Sequence, residues 1–360
     1  MALLVGGGLA LLLFAWSGFY NVAASRGHFA ITSWFLEIGM RNSVKTDSMG
    51  IAAPPLDDEN MVRLGAGIYA GGCAMCHGAP GTPPNPLYQS TLPAPPNLVD
   101  YAGRWEDKHL FWIVKHGIKY AGMPGWVSQQ RDDEVWSVVA FLRKLPEMDR
   151  ASYRRMSRGN IGEGDSDPRA LVAGGGSPTQ LTACARCHES ETAAPPSRLV
   201  PKLAGLTQEY LEQSLRHYAS GARASGVMQP IAAALDEGDF SALAAYFAKL
   251  PPKSGVAAPQ TSPDAIERGK IIAEQGAPAA NVPPCATCHA GGAFPAYPRL
   301  SGQYAPYMAG QLRLWRQGLR AATPEGAIMA PIAKALNEVQ IDDVAAYYES
   351  LPPERDEALR

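Results

Sequence analysis

The sequence has no cysteine outside three closely spaced pairs, no segment patterned as a β-sheet, no dinucleotide-binding glycine fingerprint and almost no surplus charge. Each absence excludes something. With 32 Lys and Arg against 34 Asp and Glu, the net charge of −2 points to neither nucleic acid nor a strongly acidic partner. Its glycine runs stand in the wrong places for a nucleotide. Gly6-Gly7-Gly8 lies in an apolar N-terminal segment, and Gly174-Gly175-Gly176 lies in a polar stretch with no strand before it. Because all six cysteines are used in pairs, none remains to complete a tetrahedral zinc shell. A thioredoxin-like redox pair needs a βαβ setting, which no copy has.

What is present is a repeat. CxxCH occurs as Cys73-Ala-Met-Cys76-His77, Cys184-Ala-Arg-Cys187-His188 and Cys285-Ala-Thr-Cys288-His289. The second and third copies belong to a tandem duplication. His188 and His289 are 101 residues apart, as are Met228 and Met329, and Leu250-Pro251 and Leu351-Pro352. The first unit is a more distant relative. All three close on one pattern: DDEVWSVVAFLRKLP, EGDFSALAAYFAKLP and QIDDVAAYYESLP. Each has acidic residues at its start, an apolar stripe at helical spacing and a final Leu-Pro, and so predicts a helix.

CxxCH is the attachment sequence of haem c. Its two sulfurs form thioethers with the porphyrin vinyl groups, and the adjacent His lies under the iron. The expectation is therefore three covalently bound haem c groups, on Cys73 and Cys76, Cys184 and Cys187, and Cys285 and Cys288, with His77, His188 and His289 as proximal iron ligands. The sixth ligand decides between electron transfer and catalysis. The third unit has no histidine after His289, and Met308 falls in a helical pattern that suits a core. Met329, in a loop-like stretch, is the ligand expected there. Met228 is expected in the second unit over His217, and Met123 in the first over His109 and His116. A thioether ligand raises the potential and leaves no open iron position, so the haems read as relays and the chain as no enzyme in itself. The alternative is a haem enzyme such as a peroxidase, with an open site in the first unit. Pro96, Pro201 and Pro298 lie between each His and Met. Their carbonyls can orient the His rings, or they can be simple turn prolines.

The expected fold is all-α: three tandem cytochrome c domains after an N-terminal transmembrane helix. Residues 1–24 are read as the anchor, because Met1 to Phe19 is uncharged and about 28 Å long as a helix. A cleaved signal peptide ending near Val22-Ala23-Ala24 is the other reading. Residues 25–56 are an interfacial helix and linker, with Phe29, Ile31, Trp34, Phe35 and Ile38 close together. Domains are placed at 57–150, 175–253 and 264–354, with linkers at 151–174 and 254–263. The basic residues Arg26, Arg41 and Lys45 all follow the anchor, so charge gives no orientation. Haem attachment outside the cytoplasm then places the domains in the periplasm, on a single-pass protein of a bacterial inner membrane.

The residues CARCH, PKLAG, VMQPIAAAL and CATCH, PRLSG, IMAPIAKAL make positions 175–353 resemble the dihaem cytochromes c of the c-four type. GGCAMCHGAPG and LFWIVKHGIKYAGMPGW resemble single-haem cytochrome c domains of bacterial membrane cytochromes. The resemblance implies a close pairing of domains 2 and 3. It also implies redox protein partners: a membrane dehydrogenase subunit, a quinol-oxidising complex or a terminal oxidase.

Overall fold

The computed structural model describes residues 2–159, 183–253, 261–290 and 294–353. The linker read at 151–174 lies outside the described residues beyond Gly159, as does most of that at 254–263. Among the described residues there are helices and three isolated β-bridges, with no strand.

The helices that organise the chain are α1 (Ala2–Trp16), α2 (Ala30–Asp47), α3 (Glu59–Ile68), α4 (Asp107–His116), α5 (Asp132–Lys144) and α6 (Arg150–Arg158). They continue as α7 (Gln208–Ala219), α8 (Met228–Ala233), α9 (Glu237–Lys249), α10 (Pro263–Gln275), α11 (Ala305–Arg316), α12 (Pro324–Ala335) and α13 (Glu338–Ser350). The three closing helices expected from the repeat are α5, α9 and α13. Side-chain caps start two of them. Asp236 accepts from the Asp239 amide, and Asn337 accepts from the Gln340 amide. On α5 the acidic residues Asp132, Asp133 and Glu134 lie at the N-terminal end and Arg143 and Lys144 at the other, as the helix dipole favours.

Apolar faces gather into three cores. The first joins α3, α4 and α5 through Val62, Ala66, Tyr69, Phe111, Val138, Val139 and Phe141. The second packs α7 on α9 through Leu211, Leu243 and Phe247. The third packs α10 and α11 on α13 through Ile272, Met308, Ile341 and Val344. Met308 is thus a core residue, as its helical setting suggested. In the first and third cores the crossing is so close that only glycine fits. A Cβ on Gly65 would overlap the Ser137 carbonyl of α5, and one on Gly269 would overlap the Asp343 carbonyl of α13. Arg268 beside that crossing grips the Asp343 carboxylate with two hydrogen bonds, 2.6 and 2.8 Å.

The N-terminal reading needs correction. α1 has 15 residues, about 22 Å of helix against the roughly 30 Å of a bilayer core. It stops at Ser17-Gly18, where Gly18 takes a left-handed φ of 68°. Among the described residues no helix is long and apolar enough to cross a membrane. The single-pass inner-membrane placement rested on that span, and it is withdrawn. Within the segment read as an interfacial helix and linker, α2 runs past the apolar cluster that ends at Ile38, as far as Asp47. This helix touches α4 and buries Val44 in its C-terminal half, while Arg41 lies over the Trp105 ring. Trp34 and Phe35 on its first half are 58% and 68% exposed.

Candidate functional site

Each CxxCH motif is wound into a helical turn that ends on its histidine, over Ala74–His77 and Ala286–His289 in the first and third copies. In the second, the His188 amide donates to the Cys184 carbonyl and closes the same turn. That winding sets both sulfurs and the imidazole on one short stretch of backbone. The six cysteines are not joined to one another. Burial pushes the thiols up, Cys73 to about 12 and Cys184, Cys187 and Cys285 to about 11.

The three histidines share one contact. The Nδ1 of His77 lies 2.9 Å from the Pro96 carbonyl oxygen, that of His188 3.3 Å from Pro201 and that of His289 2.9 Å from Pro298. A carbonyl can only accept, so Nδ1 carries the proton in each ring and Nε2 is the basic nitrogen. Burial lowers all three imidazoles, His188 to about 4, so they are neutral as metal ligands must be. The proline carbonyls are therefore orienting partners. A haem c fits this donor set: two thiols and one oriented imidazole per motif. Zinc does not, because each motif falls one donor short, and among the described residues no three His, Cys, Asp or Glu gather to hold a metal.

The methionines lie on varied local structure. Met123 sits in the turn after α4, where its carbonyl accepts from the Ile118 amide at 3.1 Å. Gly117 opens that turn with φ 65°, and any Cβ there would overlap the Met123 carbonyl. Met228 is the first residue of α8, its amide held 3.0 Å from Ser225 Oγ. Met329 is inside α12, two residues before Pro331, where a loop was expected. All three side chains are half-buried. Of the competitors, His109 receives the Glu106 amide on Nδ1 at 3.2 Å and closes the N-terminal capping box of α4. His116 packs on Trp112 at the far end of α4, and His217 is half-buried in the last turn of α7.

Two groups escaped the sequence reading. Glu189, buried beside His188, accepts from the amides of Leu203, at 2.6 Å, and Ala204. It thereby holds the loop that presents the Pro201 carbonyl. Glu189→Ala leaves two partly buried amides unpaired, and thermal unfolding should show a loss of about 1–3 kcal/mol. The second group is a pair of arginines between the second and third cores. Arg223 is buried, donating to Tyr307 Oη at 2.9 Å and Gln311 Oε1 at 3.2 Å. Arg320 donates to the same Gln311 oxygen at 2.7 Å and lies over Trp315. No carboxylate bonds to either among the described residues. Burial and the Arg223 charge lower Arg320, and both arginines pull the Tyr210 hydroxyl down against its own burial. The site carries positive charge suited to an acidic group.

Comparison with known proteins agrees with this chemistry. Residues 60–142 match the family of cytochrome c oxidase, cbb3-type, subunit III, and residues 267–352 match the cytochrome c family. The chain is 36% identical over 186 residues to the thiosulfate dehydrogenase electron acceptor of Stutzerimonas stutzeri (strain A1501), covering 51% of this chain and 85% of that protein. It is 32% identical over 183 residues to cytochrome c4 of Azotobacter vinelandii, covering 47% and 84%. A cytochrome c4 structure from Acidithiobacillus ferrooxidans, 33% identical, superposes with a TM-score of 0.42 over 47% of this chain and 98% of that one.

Proposed function

The chain belongs to the cytochromes c, with a c4-type dihaem resemblance over about half its length, and from that premise we propose that it is a three-haem relay accepting electrons from a dehydrogenase. The repeated hydrogen bond from each histidine Nδ1 to a proline carbonyl carries this reading. One such arrangement is a motif; three, each beside its own cysteine pair, are three binding sites.

Cys73 and Cys76, Cys184 and Cys187, and Cys285 and Cys288 hold haem c as thioethers. His77, His188 and His289 would offer Nε2 to the iron, and Met123, Met228 and Met329 would offer their sulfurs. When bound, haem c supplies a one-electron Fe(III)/Fe(II) couple. The chain does the rest. Proline carbonyls fix the imidazole rings, and the thioether sulfur favours the reduced state and closes the iron to other ligands. Arg223 and Arg320 would receive haem propionates, since among the described residues no carboxylate bonds to either.

The electron source is read from the relatives. Two of them, from Stutzerimonas stutzeri and Thiomonas intermedia, carry the name thiosulfate dehydrogenase electron acceptor. Native purification with identification of companions tests this. A dehydrogenase that co-purifies and, given its substrate, reduces the oxidised chain supports the proposal. A chain that no co-purifying dehydrogenase reduces contradicts it.

A further inference from the structure

The duplication joins the second and third cores, and nothing in the repeat says where the first one goes. The structure places it firmly against the second, at two separate points. At one point, three glycines of the first cluster make a socket for the variable residue and second cysteine of the second CxxCH motif. A Cβ on Gly67, in α3, would stand 2.9 Å from Cys187 Sγ. One on Gly71, in the π-helical turn Tyr69–Cys73 that leads into the first motif, would stand 3.0 Å from an Arg186 guanidinium nitrogen. One on Gly159, just after α6, would overlap the Arg186 carbonyl. Beside the socket, Asn60 at the start of α3 receives the Ser197 hydroxyl on its carbonyl at 2.8 Å and the Arg198 amide on its side chain at 3.0 Å.

At the other point a buried carboxylate joins the two methionine segments. Glu134 accepts from Trp126 Nε1 at 3.1 Å, three residues after Met123. It also accepts from Ser225 Oγ and the Gly226 amide, both at 2.6 Å, just before Met228. Arg131 pairs with Glu134 at 3.0 Å and donates to the Ala224 carbonyl at 2.8 Å. Gly226 lies so close to the Trp126 indole that any Cβ would overlap it. Glu134 and Ser225 are only 4% and 3% exposed. A unit held by its linker alone gains nothing from burying a charged pair there, since desolvation is costly unless the geometry is fully satisfied.

We propose that these contacts form a built electron junction between the first and second haem sites, in which the glycine socket brings the attachment motifs together and Glu134 locks both methionine segments. The proposal rests on the three-haem reading above. It makes the second site the centre of the chain, in contact with the first through this junction and with the third through pairs such as Lys202 with Gln303. The step it serves moves one electron, oxidising one iron as it reduces the other, with no bond made or broken and no proton moved. Transfer rates fall steeply with separation, so the absence of side chains at Gly67 and Gly71 has a direct consequence for rate.

The test uses the full chain, reduced by a short flash from a photoreductant, with electron equilibration followed between the first and second haems. Gly67→Val pushes Cys187 away, and Glu134→Ala releases the methionine segments from the opposite side without touching the socket. Each should slow equilibration several-fold with three haems still bound. Wild-type rates in both variants would overturn the junction. If neither variant folds, hydrogen exchange in the wild-type protein decides. The amides of Arg198 and Gly226 should be protected, and exchange at the rate of open loops would overturn it. A wild-type chain with no haem on Cys73 and Cys76 would overturn the three-haem reading instead.

Discussion

Met329→His should lower the midpoint potential of one haem by several multiples of the ~59 mV that one tenfold step represents for a single electron. The other two potentials should hardly move. The reason is the ligand chemistry: thioether sulfur favours Fe(II), and a second imidazole does not. Met329 stands inside α12 two residues before Pro331, which has no backbone amide to give to the helix. If Met329 is the ligand proposed above, histidine there offers an imidazole in its place. Met308, the other methionine of this region, is buried in the core among α10, α11 and α13 and gives a control. Met308→Leu should leave the potential alone. Redox titration of the two variants beside the unaltered chain reads all of this, and an unmoved potential in Met329→His removes Met329 from the ligand set.

The second large effect concerns folding. Gly65→Ala and Gly269→Ala each place a methyl group on a carbonyl oxygen of the crossing helix. Backbone atoms on both sides cannot yield as a flexible side chain would, so each variant should lose about 1–3 kcal/mol. The loss should be local. Gly269→Ala should weaken the third core, whose α10 and α13 also share the Arg268–Asp343 pair. Gly65→Ala should weaken the first. Stepwise thermal unfolding, followed by haem absorbance, would show one step moved and the rest in place. An unchanged profile in both variants would mean that these crossings are looser than described.

The sequence was most readable where one local interaction decides the structure. The closing helices α5, α9 and α13 start at acidic residues, the last two with side-chain caps, and run along a clear apolar stripe, so their limits follow from nearby residues. The proline carbonyls were found because a histidine, a proline and a methionine recur in fixed order. What depends on contacts between distant segments was not readable. The C-terminal half of α2, which runs to Asp47, buries Val44, and the helix touches α4. The apolar run at the N-terminus looked long enough to span a bilayer, but hydropathy does not register Gly18, where a left-handed backbone ends the helical course. Glu189 and Glu134 carry no motif. Each was one acidic residue among 34 until the fold brought amides and hydroxyls to it. The socket of Gly67, Gly71 and Gly159 was hidden for a similar reason, since a glycine shows what it makes room for only when the partner is in place.

The most direct test of the central claim is the haem content and spin state of the full chain, measured together by haem assay, mass and magnetic resonance. The account predicts three covalently bound haems per chain, all low-spin, with no carbon monoxide binding in the native reduced protein. Fewer than three haems, or one high-spin haem that binds carbon monoxide, would contradict it.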